Sequence, residues 1–327
     1  MTQHPAGTSP SPSVSRCQLS GDRTNPAREV GQALQTPYSC HTYAIPDFRN
    51  VQDSGGIEKS PKTSTSIVRM VWGVDNSPTR FVVFTTQRSG STWLMSILNG
   101  LEGVSAQGEL FLPRPRSPEK RWDSDFALPR YVESKKTHGS VRPFSVYSYL
   151  SALYSGDGWI GFKLMYSQLR RYPEILPYLV RKRVRVVHLV RRNHLDVLIS
   201  FAVKREIGKA HILSPEDRPA DVKVELDTAS LHHELRKLER RHTMGRTVLR
   251  LARLNHLEVA YEDLVADPAR LDSVRGFLGI SAQGIPQSNI LKTRTEGQEH
   301  VVANYDDVRA ALADSRFSAL LDGGSSR

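Results

Sequence analysis

Four short runs of β-branched and other apolar residues, Phe81–Thr85, Trp159–Met165, Val184–Val190 and Leu257–Tyr261, recur along the chain with helical patterns between them. Runs this short and this apolar suit strands buried on both faces, joined by crossover helices into a parallel sheet. The expected class is α/β, with a central parallel sheet flanked by helices. After the first run, Leu94, Ile97, Leu98 and Leu101 repeat at helical spacing, which predicts a helix from near Ser91 to Asn99-Gly100. Leu195, Leu198 and Phe201 mark a helix after the third run, and Leu271, Val274, Phe277 and Leu278 mark one after the fourth. The latter has Asp267 as expected N-cap, Pro268 at the first helical position and Gly279 just past the end. Leu231, Leu235, Leu238, Leu249 and Ala252 predict a long amphipathic helix whose other face is basic.

Residues 1–66 contain seven prolines and ten serines and no tryptophan, a composition that cannot offset its ordering entropy by burial. They are expected to form a mostly disordered tail ahead of a domain spanning 67–327. Residues 111–158, with scattered Pro, Arg and Ser, look like an insertion over the sheet.

The formal net charge of +11 favours polyanionic partners: nucleic acid, an anionic membrane surface or a phosphorylated small molecule. Zinc-finger, RRM and helix-turn-helix patterns are not found, which weighs against nucleic acid. The two cysteines, Cys17 and Cys40, both lie in the tail and supply neither a disulfide framework nor a thiolate metal cluster for the core. The chain has no stretch of roughly 18 uninterrupted apolar residues and starts without an apolar leader, so a cytoplasmic protein is expected, with peripheral membrane contact left open.

The first strand and helix are joined by "TTQRSGSTWL", Thr85 to Leu94. In an open parallel sheet, ligands bind beyond the carboxyl ends of the strands, where helix N-termini present free N–H groups. In the Gln87–Thr92 turn, Gly90 lets the backbone come close, Ser89, Ser91 and Thr92 add hydroxyls, and Arg88 adds a permanent charge. This is anion-site chemistry, yet it lacks the lysine and extra glycine of G-x-x-x-x-G-K-[ST]. An ordinary serine-rich N-cap explains the same letters. At the end of the third run stand Arg191, Arg192 and Asn193, with Ser200 eight residues beyond Arg192. Residues 181–192 hold six Arg or Lys and no acid. Guanidinium groups and a hydroxyl converging there suit a phosphate monoester, which carries roughly −1.5 to −2 charges near neutral pH.

Together these stretches resemble the sulfotransferases that use 3′-phosphoadenosine-5′-phosphosulfate (PAPS). "TTQRSGSTWL" is similar to their 5′-phosphosulfate loop, and "HLVRRNHLDVLIS" to their 3′-phosphate motif. The resemblance continues through "AQGELF", "GFKLM", "VAYEDLVADP" and "ILKTRTEGQEHVVANYDDV", in the order of the bacterial carbohydrate branch that includes nodulation-factor and trehalose sulfotransferases. It implies a P-loop-like three-layer fold and PAPS as donor, with no metal. It also implies an acceptor hydroxyl on a carbohydrate or glycolipid, met by a pocket that draws on residues 111–158. Some relatives pair as dimers.

By the same resemblance Gln87, Arg88, Ser89, Gly90, Ser91 and Thr92 face the phosphosulfate end of PAPS, and Arg192 and Ser200 its 3′-phosphate; Trp93 is placed to flank the adenine or to serve as a core indole at the helix start. Lys292 and Arg294 fall in the segment that closes over the nucleotide. Met165 stands where the cytosolic branch of the family has its catalytic histidine. In trehalose-type enzymes a glutamate after the first helix is the base, and Glu109 in "AQGELF" occupies a similar place. Lys163 ends its strand on the ligand side, as the family lysine does. "KKTH" at Lys135–His138 matches the cytosolic motif only by chance, and His188 reads as a core histidine. A small-molecule P-loop-like kinase and a nucleotide- or nucleic-acid-binding protein without catalysis are the alternatives.

Overall fold

The computed structural model describes residues 79–113, 129–208, 222–267, 269–281 and 297–321. Lys292, Arg294, Pro268, both cysteines and the N-terminal tail lie outside the described residues. Strand β1 (Arg80–Thr85) leads through the Gln87–Gly90 turn into α1 (Ser91–Asn99), and β2 (Val104–Gln107) follows. Two helices, α2 (Lys135–His138) and α3 (Phe144–Leu153), precede β3 (Trp159–Met165), which runs directly into α4 (Tyr166–Arg171). Helix α5 (Ile175–Arg181) leads to β4 (Arg185–Val190) and then α6 (His194–Ile207). The long α7 (Thr228–Leu251), β5 (His256–Ala260), α8 (Tyr261–Ala266) and α9 (Arg270–Leu278) come next. Short helices α10 (Gln298–Val301) and α11 (Tyr305–Leu312) close the described chain.

The sheet has five strands in the order β2-β3-β1-β4-β5. Every pairing is parallel, with Phe81 opposite Gly161 on one side and Arg185 on the other. β1 therefore lies at the centre, where successive connections depart in opposite directions and leave a crevice at the carboxyl edge.

Alternation along the strands builds two cores. Phe81 and Val83 of β1, with Val187 and Leu189 of β4, pack against α1 and α9 through Leu94, Met95, Leu98, Leu271, Val274 and Leu278. Val82, Phe84, Phe162, Leu164 and Val186 face the other way, toward α3, α5 and the end of α7. Each such side chain contributes about 1.5–3 kcal/mol through burial. A third cluster joins α6 and α7 to α10 and α11 through Leu195, Ile199, Leu231, Leu235, Val301 and Val308.

The described part of the expected insertion supplies Tyr131, Val146, Tyr149, Leu150 and Leu153 to a core, so it forms one of the covering layers of the sheet. α9 begins three residues after its expected cap. Asp267 Oδ1 still accepts from the backbone N–H of Ala269 at 2.9 Å, and Gly279 ends the helix at φ 71°. Strand β2 has no counterpart among the four apolar runs, and Tyr261 opens α8 instead of ending β5.

Candidate active site

The carboxyl ends of all five strands meet along one edge, and the turn after β1 lies between its neighbours. That turn is held from inside. Thr85 Oγ1 and Ser89 Oγ lie 2.6 Å apart, with the carbonyls of Leu189 and Thr86 at 2.7 and 2.8 Å to accept from them. Ser89 is fully buried, so its hydroxyl, expected to face an anion, is directed into the fold. Any contribution it makes to a ligand comes from its backbone.

Arg88 and Gly90 both take left-handed backbone angles, φ 61° and 79°. A Cβ on Gly90 would lie 2.1 Å from the ring of Tyr261. The close approach that Gly90 permits on its Cβ side is thus to Tyr261. Trp93 stands edge-on to the same ring, with centroids 5.7 Å apart, and packs against the core beside α1.

Two guanidinium groups, those of Arg88 and Arg191, meet at this turn. Arg88 donates Nε to Ser200 Oγ at 2.8 Å, and Arg191 donates Nη1 to the Arg88 carbonyl at 3.2 Å. Arg191 also pairs with Asp196 at 3.1 Å and lies over the Tyr261 ring at 5.2 Å. Burial first, and then repulsion from Arg191, press the Arg88 pKa below its ordinary value. Both effects penalise the charged guanidinium, and an anion placed beside it would offset both.

Arg192 is arranged differently from the expectation. Its side chain is 59% exposed and pairs with Asp263, while Ser200 is bonded to Arg88. The two expected 3′-phosphate residues are each held by another partner. Glu262 accepts from the backbone N–H groups of Arg192 and Asn193, both at 3.1 Å. Asn193 Oδ1 in turn caps α6 by accepting from the N–H of Asp196 at 3.0 Å. The loop after β4 is therefore fixed from α8 and from its own helix.

On the other flank, Glu109 follows β2 and Lys163 lies near the end of β3. Lys163 Nζ is 3.1 Å from Glu109 Oε1 and donates to Thr92 Oγ1 at 3.2 Å. The lysine side chain is 5% exposed and the glutamate 20%. Gln168 Nε2 donates to the second carboxylate oxygen, Oε2, at 3.1 Å. Lys163 is thus the cation that pairs with Glu109. Leu110 and Phe111 are fully buried in the core.

Of the other expected residues, Ser91 and Thr92 are buried in the first turn of α1, and Gln87 is exposed at the tip of the turn. Tyr261, Glu262, Asp263 and Gln168 lie in contact with these residues without having been assigned roles from sequence. "VAYEDL" carried a signal for three of them, though only as part of a motif. His138, in α2, bonds Ser148 through Nδ1 at 3.0 Å and packs edge-on to Tyr149.

His188 is the expected core histidine, and it anchors a buried polar chain. Its Nδ1 is 3.0 Å from Glu258 Oε2 and its Nε2 2.5 Å from Tyr166 Oη. Burial lowers its pKa to about 4, so the ring is neutral; Nδ1–H then donates to Glu258 and Nε2 accepts from Tyr166. Arg246 holds Glu258 with two bonds of 2.7 and 2.8 Å.

A cleft of about 500 Å³, lined by Lys223, Asn304, Asp306 and neighbours, shares none of these residues. Among the described residues no group of three or more His, Cys, Asp or Glu is placed to hold a metal, and no helix is long and apolar enough to cross a membrane.

Residues 80–300 match the family model described as Stf0 sulphotransferase. The chain is 24% identical over 262 residues to nodulation protein H of Rhizobium tropici, covering 75% of this chain and 94% of that protein. Among solved structures, a sulfotransferase from Alicyclobacillus acidocaldarius aligns with 14% identity and a TM-score of 0.38, over 75% of this chain and 96% of the other. Mouse sulfotransferase SULT7A1, complexed with PAP, aligns with 14% identity and a TM-score of 0.33, over 73% and 67%.

Proposed function

The chain belongs to the Stf0 sulphotransferase family, and we infer from this and from the site that its two flanks divide the work of sulfonate transfer between donor and acceptor. As a PAPS-dependent sulfotransferase it moves a sulfonate group to an acceptor hydroxyl. PAPS, when bound, supplies an activated sulfonate and a phosphate leaving group. The turn after β1, with Arg88, holds the phosphosulfate end and stabilises charge on the departing phosphate oxygen. Arg192 and Ser200 hold the 3′-phosphate, which requires Arg192 to leave Asp263 and Ser200 to share its hydroxyl with Arg88. Trp93 and Tyr261 wall the turn; Lys292 and Arg294 belong to the segment expected to close over the nucleotide.

Glu109 is the base. An ionised carboxylate has about four acceptor positions, and Lys163 and Gln168 use one on each oxygen, which leaves room for an acceptor hydroxyl. Glu109 accepts the hydroxyl proton as that oxygen forms its bond to sulfur and the bond from sulfur to the phosphate oxygen breaks. Lys163 orients Glu109 and adds positive charge beside the transferring group. No step needs a divalent ion.

The observation that carries this reading is the position of Lys163 Nζ, within 3.2 Å of both Glu109 and Thr92. One cation ties the carboxylate after β2 to the anion turn after β1. The acceptor is taken to be a carbohydrate or glycolipid hydroxyl, supported by similarity to nodulation protein H. A cytoplasmic location, where PAPS is met under reducing conditions, fits the two-cysteine composition.

The test is transfer of label from PAPS and from ATP to a panel of oligosaccharides and glycolipids, with and without chelator, read by mass spectrometry. Sulfation that persists in chelator is expected. Magnesium-dependent phosphorylation without sulfation would overturn the reading in favour of a kinase.

A further inference from the structure

Gln168 lies in the first turn of α4, is 4% exposed, and its side chain joins two parts of the site. The backbone N–H of Met165 donates to Oε1 at 3.2 Å. A backbone N–H can only donate, so this bond fixes which end of the amide faces which way. Nε2 is left pointing at Glu109, whose Oε2 accepts from it at 3.1 Å. The amide orientation is thus dictated by the main chain and not by the glutamate.

We propose that Gln168 is a positioning residue for the transfer reaction, holding the Glu109 carboxylate in the plane and direction from which it accepts the acceptor's proton; this rests on Glu109 as the base. Lys163 and Gln168 belong to one rigid unit, since β3 passes into α4 without a loop. Their two donors grip opposite oxygens of Glu109. Lys163 alone would leave the carboxylate free to turn about its own axis. A second bond from the same unit removes that freedom, and an amide does so without placing a second positive charge beside the proton acceptor. The precision matters because catalytic groups act through placement, and misplacement by about 1 Å can cost on the order of 100-fold in rate.

Gln168→Glu separates the two bonds. It keeps an oxygen to accept from Met165 N–H, yet turns a second acceptor toward Glu109 and breaks the grip. Gln168→Met, which adds no charge, is measured in parallel in case the first variant folds poorly. Turnover per folded molecule is measured with PAPS and an acceptor found by the screen above, together with KM for PAPS and the thermal midpoint, for these variants, for Glu109→Gln and for the double variants.

The expected result is kcat lower by about 10- to 100-fold in the Gln168 variants with KM for PAPS within about twofold of wild type. Added to Glu109→Gln, a Gln168 variant should cause no further loss, because its effect passes through Glu109. If Glu109→Gln abolishes turnover while both Gln168 variants retain wild-type kcat, the positioning role is overturned and the base stands. Losses that multiply in the double variants also overturn it. If Glu109→Gln leaves turnover intact, the base assignment falls first, and the role of Gln168 with it.

Discussion

Arg88 Nε donates to Ser200 Oγ at 2.8 Å, joining the turn after β1 to the second turn of α6 across 112 positions of sequence. The two elements expected to grip opposite ends of one nucleotide are already in contact. Ser200 therefore orients Arg88, and on the proposed assignment it also offers its own hydroxyl to a phosphate. Ser200→Ala is expected to weaken binding of 3′-phosphoadenosine 5′-phosphate by about tenfold, or about 1.4 kcal/mol, in calorimetric titration. Unchanged affinity would show that this hydroxyl has no part in the nucleotide site.

Gly90 combines a left-handed backbone with the Tyr261 ring where its Cβ would be. Gly90→Ala should lower stability by about 1–3 kcal/mol, through overpacking and backbone strain together. Adding Tyr261→Ala should recover part of that loss, leaving the share due to backbone angle alone. Urea unfolding of the single and double variants measures both. A Gly90→Ala protein as stable as wild type would contradict the packing of Tyr261 on the turn.

Lys163 is buried between Glu109 and Thr92, so Lys163→Met removes the cation while filling its volume. The expected loss in kcat is on the order of 100-fold, since on the proposed assignment a charge beside the transferring group is removed. Initial rates at saturating PAPS test this, and a loss confined to KM would assign the lysine to binding instead.

Acid should destabilise the fold through its buried histidines. Burial lowers the pKa of His188 to about 4, and burial with neighbouring charges, His194 foremost, lowers that of His242 to about 3, from ordinary values near 6.5. Both folded values are depressed, so the unfolded chain binds more protons below pH 6.5. Stability therefore falls as pH drops through that value and continues to fall toward pH 4, by up to about 1.4 kcal/mol per pH unit for each ring. Glu258, whose pKa is lowered chiefly by its hydrogen bonds to Arg246, acts in the same direction. Urea midpoints between pH 7 and 4.5 check the slope, and a flat profile would refute it.

β1, β3 and β4 were legible because both of their faces are buried, which leaves an apolar run in the sequence, and β5 because Leu257, Val259 and Ala260 still make a short apolar pattern at the edge. β2 was not. Its four residues, Val104–Gln107, include a serine and a glutamine at an edge, where one neighbour suffices. The anion turn and the arginines after β4 could be read from local spacing. Their partners could not, because Arg88 with Ser200 and Gln168 with Glu109 are pairings made by the fold between distant segments. Tyr261 looked like the end of a strand, and only the space above Gly90 shows why a ring is needed there.

The central place of β1 in the strand order β2-β3-β1-β4-β5 has an evolutionary corollary. On the proposed assignment, nucleotide recognition draws on the half beyond β4, and recognition of the molecule to be modified draws on the half beyond β3. A lineage can rebuild one flank while the other is inherited intact, so new recipients can arise under a constant currency of activated sulfate.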